Sequence, residues 1–162
     1  MIGKGIACCA PSKTKETHME YELGKSYDEI NIGDTASFSK TITETDIALF
    51  AAITGDFNPM HMNEEFAKKT PFKTRIAHGG LPHGLIAPVW GTKLPGLGTI
   101  ALEIKTRFKA PTYPGDTITA TTEVIEKLEE RKWLRMKLTW TNQKGEIVGT
   151  GEGLVMPPPK LK

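Results

Sequence analysis

Two residues able to move protons, Asp56 and His61, stand five positions apart in the segment Gly55-Asp56-Phe57-Asn58-Pro59-Met60-His61. On a helix, side chains at that spacing face different directions. Asn58-Pro59 instead favours a tight turn, which lets a carboxylate and an imidazole converge on one point. A carboxylate so placed can act as a general base, assistance worth roughly 10²–10⁴-fold. An imidazole, titrating near ~6.5 in water, exchanges protons close to neutrality. Each residue taken singly also has a plainer reading. Asp56 can bond its own backbone at a helix end, and His61 can be an ordinary hydrogen-bonded histidine. A second group of interest, His78-Gly79-Gly80, precedes an apolar run. Glycine at the mouth of a helix admits a ligand close to the backbone, where the helix terminus favours negative charge.

Other chemistries fit the sequence poorly. His78 and His83 are five apart and would not share a helix face, so they do not form a zinc pair of the H-x-x-x-H kind. Cys8 and Cys9 are adjacent and have no partner histidines at metal spacing. They are the only two cysteines, so no internal disulfide staples the fold, and a reducing cytoplasm is expected. Gly96-Leu97-Gly98 precedes a strand, whereas a dinucleotide loop must open a helix. No metal site is expected. The net charge of +2, with basic residues scattered among acidic ones, gives no reason to expect nucleic acid. Residues 76–92 lack Asp, Glu, Lys and Arg but contain Pro82, Pro88 and four glycines. They fall short of the ~20 apolar residues that a membrane span needs. Residues 1–18 do not read as a signal peptide, because the apolar stretch after Lys4 is too short.

The elements that must position these residues follow from periodicity. The chain has 162 residues, 38% hydrophobic and 25% charged, which suits one soluble domain. Residues 11–20 are mostly polar, and residues 1–20 are expected to be a disordered tail, with Met19 a candidate natural start. Residues 21–162 form the single domain. A strand is expected over 34–43. A helix follows, capped by Thr43 or Thr45, with Ile47, Phe50, Ala51 and Ile53 on its apolar face and Gly55 at its end. Residues 56–62 are expected to form a loop, and Asn63 to cap a short helix through Lys69. Residues 80–94 read as one long buried helix, apolar on nearly all sides and kinked at Pro88. After Gly98 the period becomes two, giving strands around Ile100–Phe108, Ile118–Val124, Leu134–Trp140 and 146–156. Turns at Pro114-Gly115-Asp116 and Asn142-Gln143-Lys144-Gly145 join them. Trp90, Trp133 and Trp140 are assigned to core or interface. The class is α+β, an antiparallel sheet of about five strands with one buried helix.

From about residue 27 to 157 the chain resembles the MaoC-like hot-dog family, in particular its (R)-specific enoyl-CoA hydratases. Three motifs carry the resemblance: Phe50-Ala51-Ala52-Ile53-Thr54-Gly55-Asp56-Phe57-Asn58-Pro59-Met60-His61, Ile76-Ala77-His78-Gly79, and Phe108-Lys109-Ala110-Pro111 followed by Gly115-Asp116. The first is specific, and the others gain weight from their order. The resemblance implies a hot-dog fold, with the sheet wrapped around the buried helix. It also implies that Asp56 and His61 hold the water that adds to a trans-2-enoyl-CoA. Gly79 would donate its N–H to the thioester oxygen, where an enolate develops on attack at the beta carbon. Phe57, Asn58, His78, Lys105 and Arg107 are the candidate substrate-binding residues, Asn58 by bracing the loop and Lys105 or Arg107, with Lys109, by meeting the coenzyme A nucleotide. Coenzyme A is part of the substrate, and no separate cofactor is implied. An open sheet edge and the resemblance together imply a homodimer.

One position departs from the family pattern. Some members carry a serine on the buried helix that steadies the active-site loop, and the matching residue here is Ala87. Two other functions stay open: a hot-dog thioesterase, against which the Asp-x-Asn-Pro-x-His loop argues, and a non-catalytic acyl-CoA-binding protein, which has no need of a base.

Overall fold

The computed structural model describes residues 21–160. The tail expected over 1–20 therefore lies outside the described residues. Five strands form one antiparallel sheet: β1 (Thr35–Thr41), β2 (Ile100–Phe108), β3 (Thr117–Leu128), β4 (Trp133–Thr141) and β5 (Ile147–Met156). Their spatial order is β1-β3-β4-β5-β2. Alternation along the central strands sends every second side chain to one face. Ile118, Ala120, Thr122 and Val124 of β3 and Leu134, Met136, Leu138 and Trp140 of β4 are all at most 1% exposed. Five α-helical segments and a 3-10 turn at Tyr27–Glu29 accompany the sheet: α1 (Glu44–Thr54), α2 (Pro59–Met62), α3 (Glu64–Ala67), α4 (Gly80–His83) and α5 (Ile86–Thr92). Ile86, Val89 and Trp90 of α5 join the buried core of β3 and β4. The Trp90 indole donates to the Thr122 hydroxyl at 3.1 Å, so neither polar group is buried without a partner. A sheet packed on a central helix is the hot-dog arrangement.

Helix α1 starts where its sequence says it should. Thr43 accepts the Asp46 N–H at 3.1 Å, and the Asp46 carboxylate accepts the Thr43 N–H at 2.8 Å, which is a capping box. Lys40 adds an ion pair to Asp46 at 2.7 Å. The Lys40 ammonium and the Thr43 donors hold the Asp46 carboxyl down at about 2, below the ordinary 3.8. A depressed acid contributes stability that is present above its unfolded pKa and lost as pH falls through the folded one. Stability from this cap should therefore be level above about pH 4 and fall away between about pH 4 and pH 2. Urea melts at pH 6 and pH 3 should show Asp46→Asn removing part of the loss seen in the unmodified protein. An equal loss in both proteins would exclude this cap as a contributor.

Several expectations are corrected. The single helix over 80–94 is two segments, α4 and α5, separated at Gly84 and Leu85. Pro88 has no N–H for the Gly84 carbonyl, and its ring crowds that carbonyl. The chain answers with tighter bonds, Leu85 N–H to Pro82 O at 3.2 Å and Ala87 N–H to Gly84 O at 3.0 Å. Ile53 is 83% exposed rather than on the apolar face of α1. Six residues beyond Ile47 is about 240° around a helix, away from the buried Ile47–Ala51 side. Part of the loop expected over 56–62 is the helical turn α2. Finally, no residue of β2 is buried, although its sequence alternates. It is an edge strand with β5 as its one neighbour, and Ile100, Leu102, Ile104 and Phe108 are 41–64% exposed.

Candidate active site

The loop after α1 is built from three local devices. Gly55 ends the helix in the left-handed conformation (φ 78°), donating its N–H to Ala51 O at 2.8 Å. Asp56 Oδ1 accepts the Asn58 N–H at 3.1 Å, the Asx bond that its sequence context suggests. That bond uses one carboxylate oxygen and leaves Oδ2 available, so the structural and chemical readings of Asp56 are compatible. Asn58 Oδ1 then accepts the Met60 N–H at 3.1 Å and caps α2, with Pro59 in its first turn. Asn58-Pro59 is thus turn chemistry and helix-start chemistry together, and it places His61 on α2.

His61 is 7% exposed, and its Nδ1 lies 2.8 Å from the Ile76 carbonyl oxygen. A carbonyl only accepts, so the proton is on Nδ1 and Nε2 is the nitrogen left for chemistry. Ile76 is itself held by its neighbour. The Arg75 guanidinium forks onto Glu44 of α1 at 3.0 and 2.7 Å, and Glu64 of α3 accepts from the Arg75 N–H and the Thr74 hydroxyl. The Arg75 N–H, then the Thr74 hydroxyl, hold the Glu64 carboxyl below its ordinary value. The backbone that orients His61 is therefore tied to two helices.

One ligand-type atom from each of Asp56, His61 and His78 lies within 4.8 Å of the others. Such a set has the residue types of a metal centre. His78 Nε2 is committed to the Asp56 carbonyl oxygen at 2.8 Å, while Asp56 Oδ1 and His61 Nδ1 are taken by backbone partners, which leaves Oδ2 and Nε2 for a ligand. A water making two hydrogen bonds of ordinary length at a tetrahedral angle spans about 4.6 Å, and ligand atoms of Asp56 and His61 lie no more than 4.8 Å apart, within reach of one bridging water.

His61 and Gly79 line a cavity of about 440 Å³, together with His83, Phe108, Lys109 and Val148. Among the described residues no acceptor takes the Gly79 N–H. A side chain at Gly79 would begin 2.5 Å from the Phe108 ring, so the absence of a Cβ is what keeps this wall thin. Only the four residues of α4 follow before the break. The helix terminus therefore adds little, and the N–H itself must act as the donor. His83 has a signal that sequence reasoning set aside, a histidine in an apolar helix. It is stacked between Phe108 and Trp140, with ring centroids at 4.5 and 4.3 Å. Burial pushes it down to about 4 from the ordinary 6.5, so it is neutral at working pH.

The other candidates fall elsewhere. His78 is 2% exposed and does not line the cavity. Phe57 is 62% exposed and also lies outside it. Asn58 braces the loop, as described. Lys105 and Arg107 line a different cavity with Lys137 and Glu152, and Lys105 pairs with Glu103 at 2.5 Å. Lys109 is the basic residue in the wall of the first cavity. Ala87 is exposed, and the Asp56 carbonyl is instead held by His78.

The geometry agrees with what the chain is similar to. A MaoC-like domain profile matches residues 29–144. An (R)-specific enoyl-CoA hydratase of Rhodospirillum rubrum is 47% identical over 82% of this chain and 91% of its own length. A 3-hydroxybutyryl-CoA dehydratase of Methylorubrum extorquens is 43% identical over 83% and 85%. Among solved structures, the unliganded R-hydratase PhaJ1 of Pseudomonas aeruginosa superposes with a TM-score of 0.79 at 40% identity, covering 85% of this chain and 88% of that one. The chain belongs to the MaoC-like domain family.

Proposed function

We propose that this protein is an (R)-specific enoyl-CoA hydratase, adding water reversibly to a trans-2-enoyl-CoA to give an (R)-3-hydroxyacyl-CoA. The observation that carries the reading is that ligand atoms of the Asp56 carboxylate and the His61 imidazole lie within 4.8 Å of each other, with His61 sharing one cavity wall with the Gly79 backbone N–H. The stereochemistry and the thioester class are supported by the names of the relatives.

In this scheme a water sits between Asp56 Oδ2 and His61 Nε2. Its oxygen attacks C3, and a proton leaves for the pair as the new C–O bond forms. The π electrons move to the thioester oxygen, where the Gly79 N–H stabilises the charge as it develops. As the carbonyl reforms, C2 takes up the proton held by the pair, so protons balance and no oxidant or reductant is needed. Asp56 is the base. His61, fixed through Nδ1 on Ile76, orients the water. Coenzyme A enters as part of the substrate, and the scheme requires no other cofactor.

We further propose a homodimer in a reducing cytoplasm, with neither membrane nor nucleic acid as partner. Among the described residues no helix is long and apolar enough to cross a membrane. The unpaired backbone and exposed apolar side chains of β2 support pairing with a second copy. The coenzyme A nucleotide is assigned to the Lys109 side of the cavity.

The test is loss of the ultraviolet absorbance of crotonyl-CoA. Hydration with the thioester intact is the expected result. Release of free CoA would favour the thioesterase, and binding without turnover the non-catalytic protein. A sedimentation velocity run should show a dimer, and an active monomer would exclude that part of the proposal.

A further inference from the structure

We propose that His78 is a positioning residue of the water site, setting the placement of Asp56 relative to His61 without touching substrate. The inference rests on the hydratase reading above. Segment 55–58 is otherwise held by its own local bonds: Asp56 N–H to the Thr54 hydroxyl at 3.3 Å, Phe57 N–H to Gly55 O at 3.1 Å, and Asn58 N–H to the Asp56 carboxylate at 3.1 Å. Such bonds fix the shape of a loop but not its place on the protein. Among the described residues, one hydrogen bond ties this segment to a distant part of the chain, from His78 Nε2 to the Asp56 carbonyl at 2.8 Å across 22 residues.

The rest of the ring is arranged to make that bond rigid. Its face lies 3.9 Å from the His61 ring, centroid to centroid, at 34°. Phe50 of α1 lies 5.0 Å away at 40°. The same imidazole therefore contacts both members of the catalytic pair, one through a hydrogen bond and the other through its face. The Asp56 carbonyl only accepts, which puts the proton on Nε2. Nδ1 is buried with no partner. A proton on Nδ1 would have no acceptor, so the tautomer that fits the geometry carries it on Nε2. At 2% exposure the ring has almost no surface to offer a substrate, as a positioning role requires. Asp56, by contrast, has a side chain 51% exposed and little else to hold it. The anchor also explains how the loop is steadied in a chain with Ala87 on α5.

Three variants test this. His78→Phe keeps an aromatic face for packing but has no donor. His78→Gln places an amide N–H near the position of Nε2. His78→Ala removes both. Misplacing a reacting group by about 1 Å costs roughly 10²-fold, so His78→Phe should lower kcat for crotonyl-CoA by about that factor with KM little changed. His78→Gln should recover most of the loss, while thermal melts of the Phe and Gln variants stay close together. Amide hydrogen exchange in 55–58 should quicken in His78→Phe and not in His78→Gln. Wild-type kcat in His78→Phe would overturn the proposal. So would a rise in KM at unchanged kcat, which would make His78 a substrate contact, and so would equal losses in the Phe and Gln variants. Failure of the unmodified protein to hydrate crotonyl-CoA would instead reject the hydratase reading, with the exchange experiment still reporting on the anchor.

Discussion

Asp56→Asn should lower kcat for crotonyl-CoA hydration by roughly 10²–10⁴-fold, the range for losing a general base, and leave KM little changed. The substitution is conservative in the respect that matters for folding. Asp56 Oδ1 accepts the Asn58 N–H, and an asparagine oxygen can do the same, so the Asx turn and the cap on α2 survive. What is lost is the charge on Oδ2. His61→Ala should give a loss of the same order, because the water then has one holder in place of two. The two groups act on one water, so the double variant should be little worse than the poorer single variant, as for residues that function as a unit. Independent contributions would instead multiply. Activity of Asp56→Asn above about a tenth of the wild-type value would remove Asp56 from the role of base, whatever happened at His61.

Much of this site was legible because its parts are local. The Gly55 stop, the Asx bond of Asp56 and the Asn58-Pro59 start of α2 all lie within a few residues of each other, and each has a residue-type signature. The central strands were legible for the same reason: β3 and β4 bury every second residue without exception over Ile118–Val124 and Leu134–Trp140. The parts that were not legible depend on contacts remote in sequence. Phe57, Lys105 and Arg107, candidates through the family resemblance, do not line the cavity that holds His61 and Gly79, and no local pattern says which cavity a side chain enters. The partnership of His78 with Asp56 spans 22 residues and has no local signature. The exposure of β2 has a different origin. Its alternation is that of a half-buried strand, and a single chain offers nothing to cover its outer edge. That mismatch between pattern and burial is what the proposed second copy would resolve.

Gly79→Ala should also lower kcat by about 10²–10³-fold, the cost of losing one oxyanion donor, even though the backbone N–H is still present. The reason is steric. A Cβ at this position would begin 2.5 Å from Phe108 Cε1 and 2.8 Å from Cζ, closer than real atoms approach. The φ of Gly79 is −58°, which alanine adopts without strain, so the backbone conformation itself is not at issue. Either Gly79 shifts away from the cavity, carrying its N–H out of line, or the Phe108 ring moves. The ring is 64% exposed and free to swing, yet it also stacks on His83 at 4.5 Å, so its movement would open the cavity floor. A second substitution separates these routes. In Gly79→Ala/Phe108→Ala the clash is gone. If displacement of the N–H is the cause, activity should return to within about tenfold of Phe108→Ala alone, since the remaining loss would come only from crowding by one methyl group. If the double variant stays as slow as Gly79→Ala, the methyl itself blocks the thioester, and the catalytic requirement at this position is close approach to the backbone. Full activity in Gly79→Ala would exclude both routes and show that the Phe108 ring yields to the methyl group with the N–H still in place.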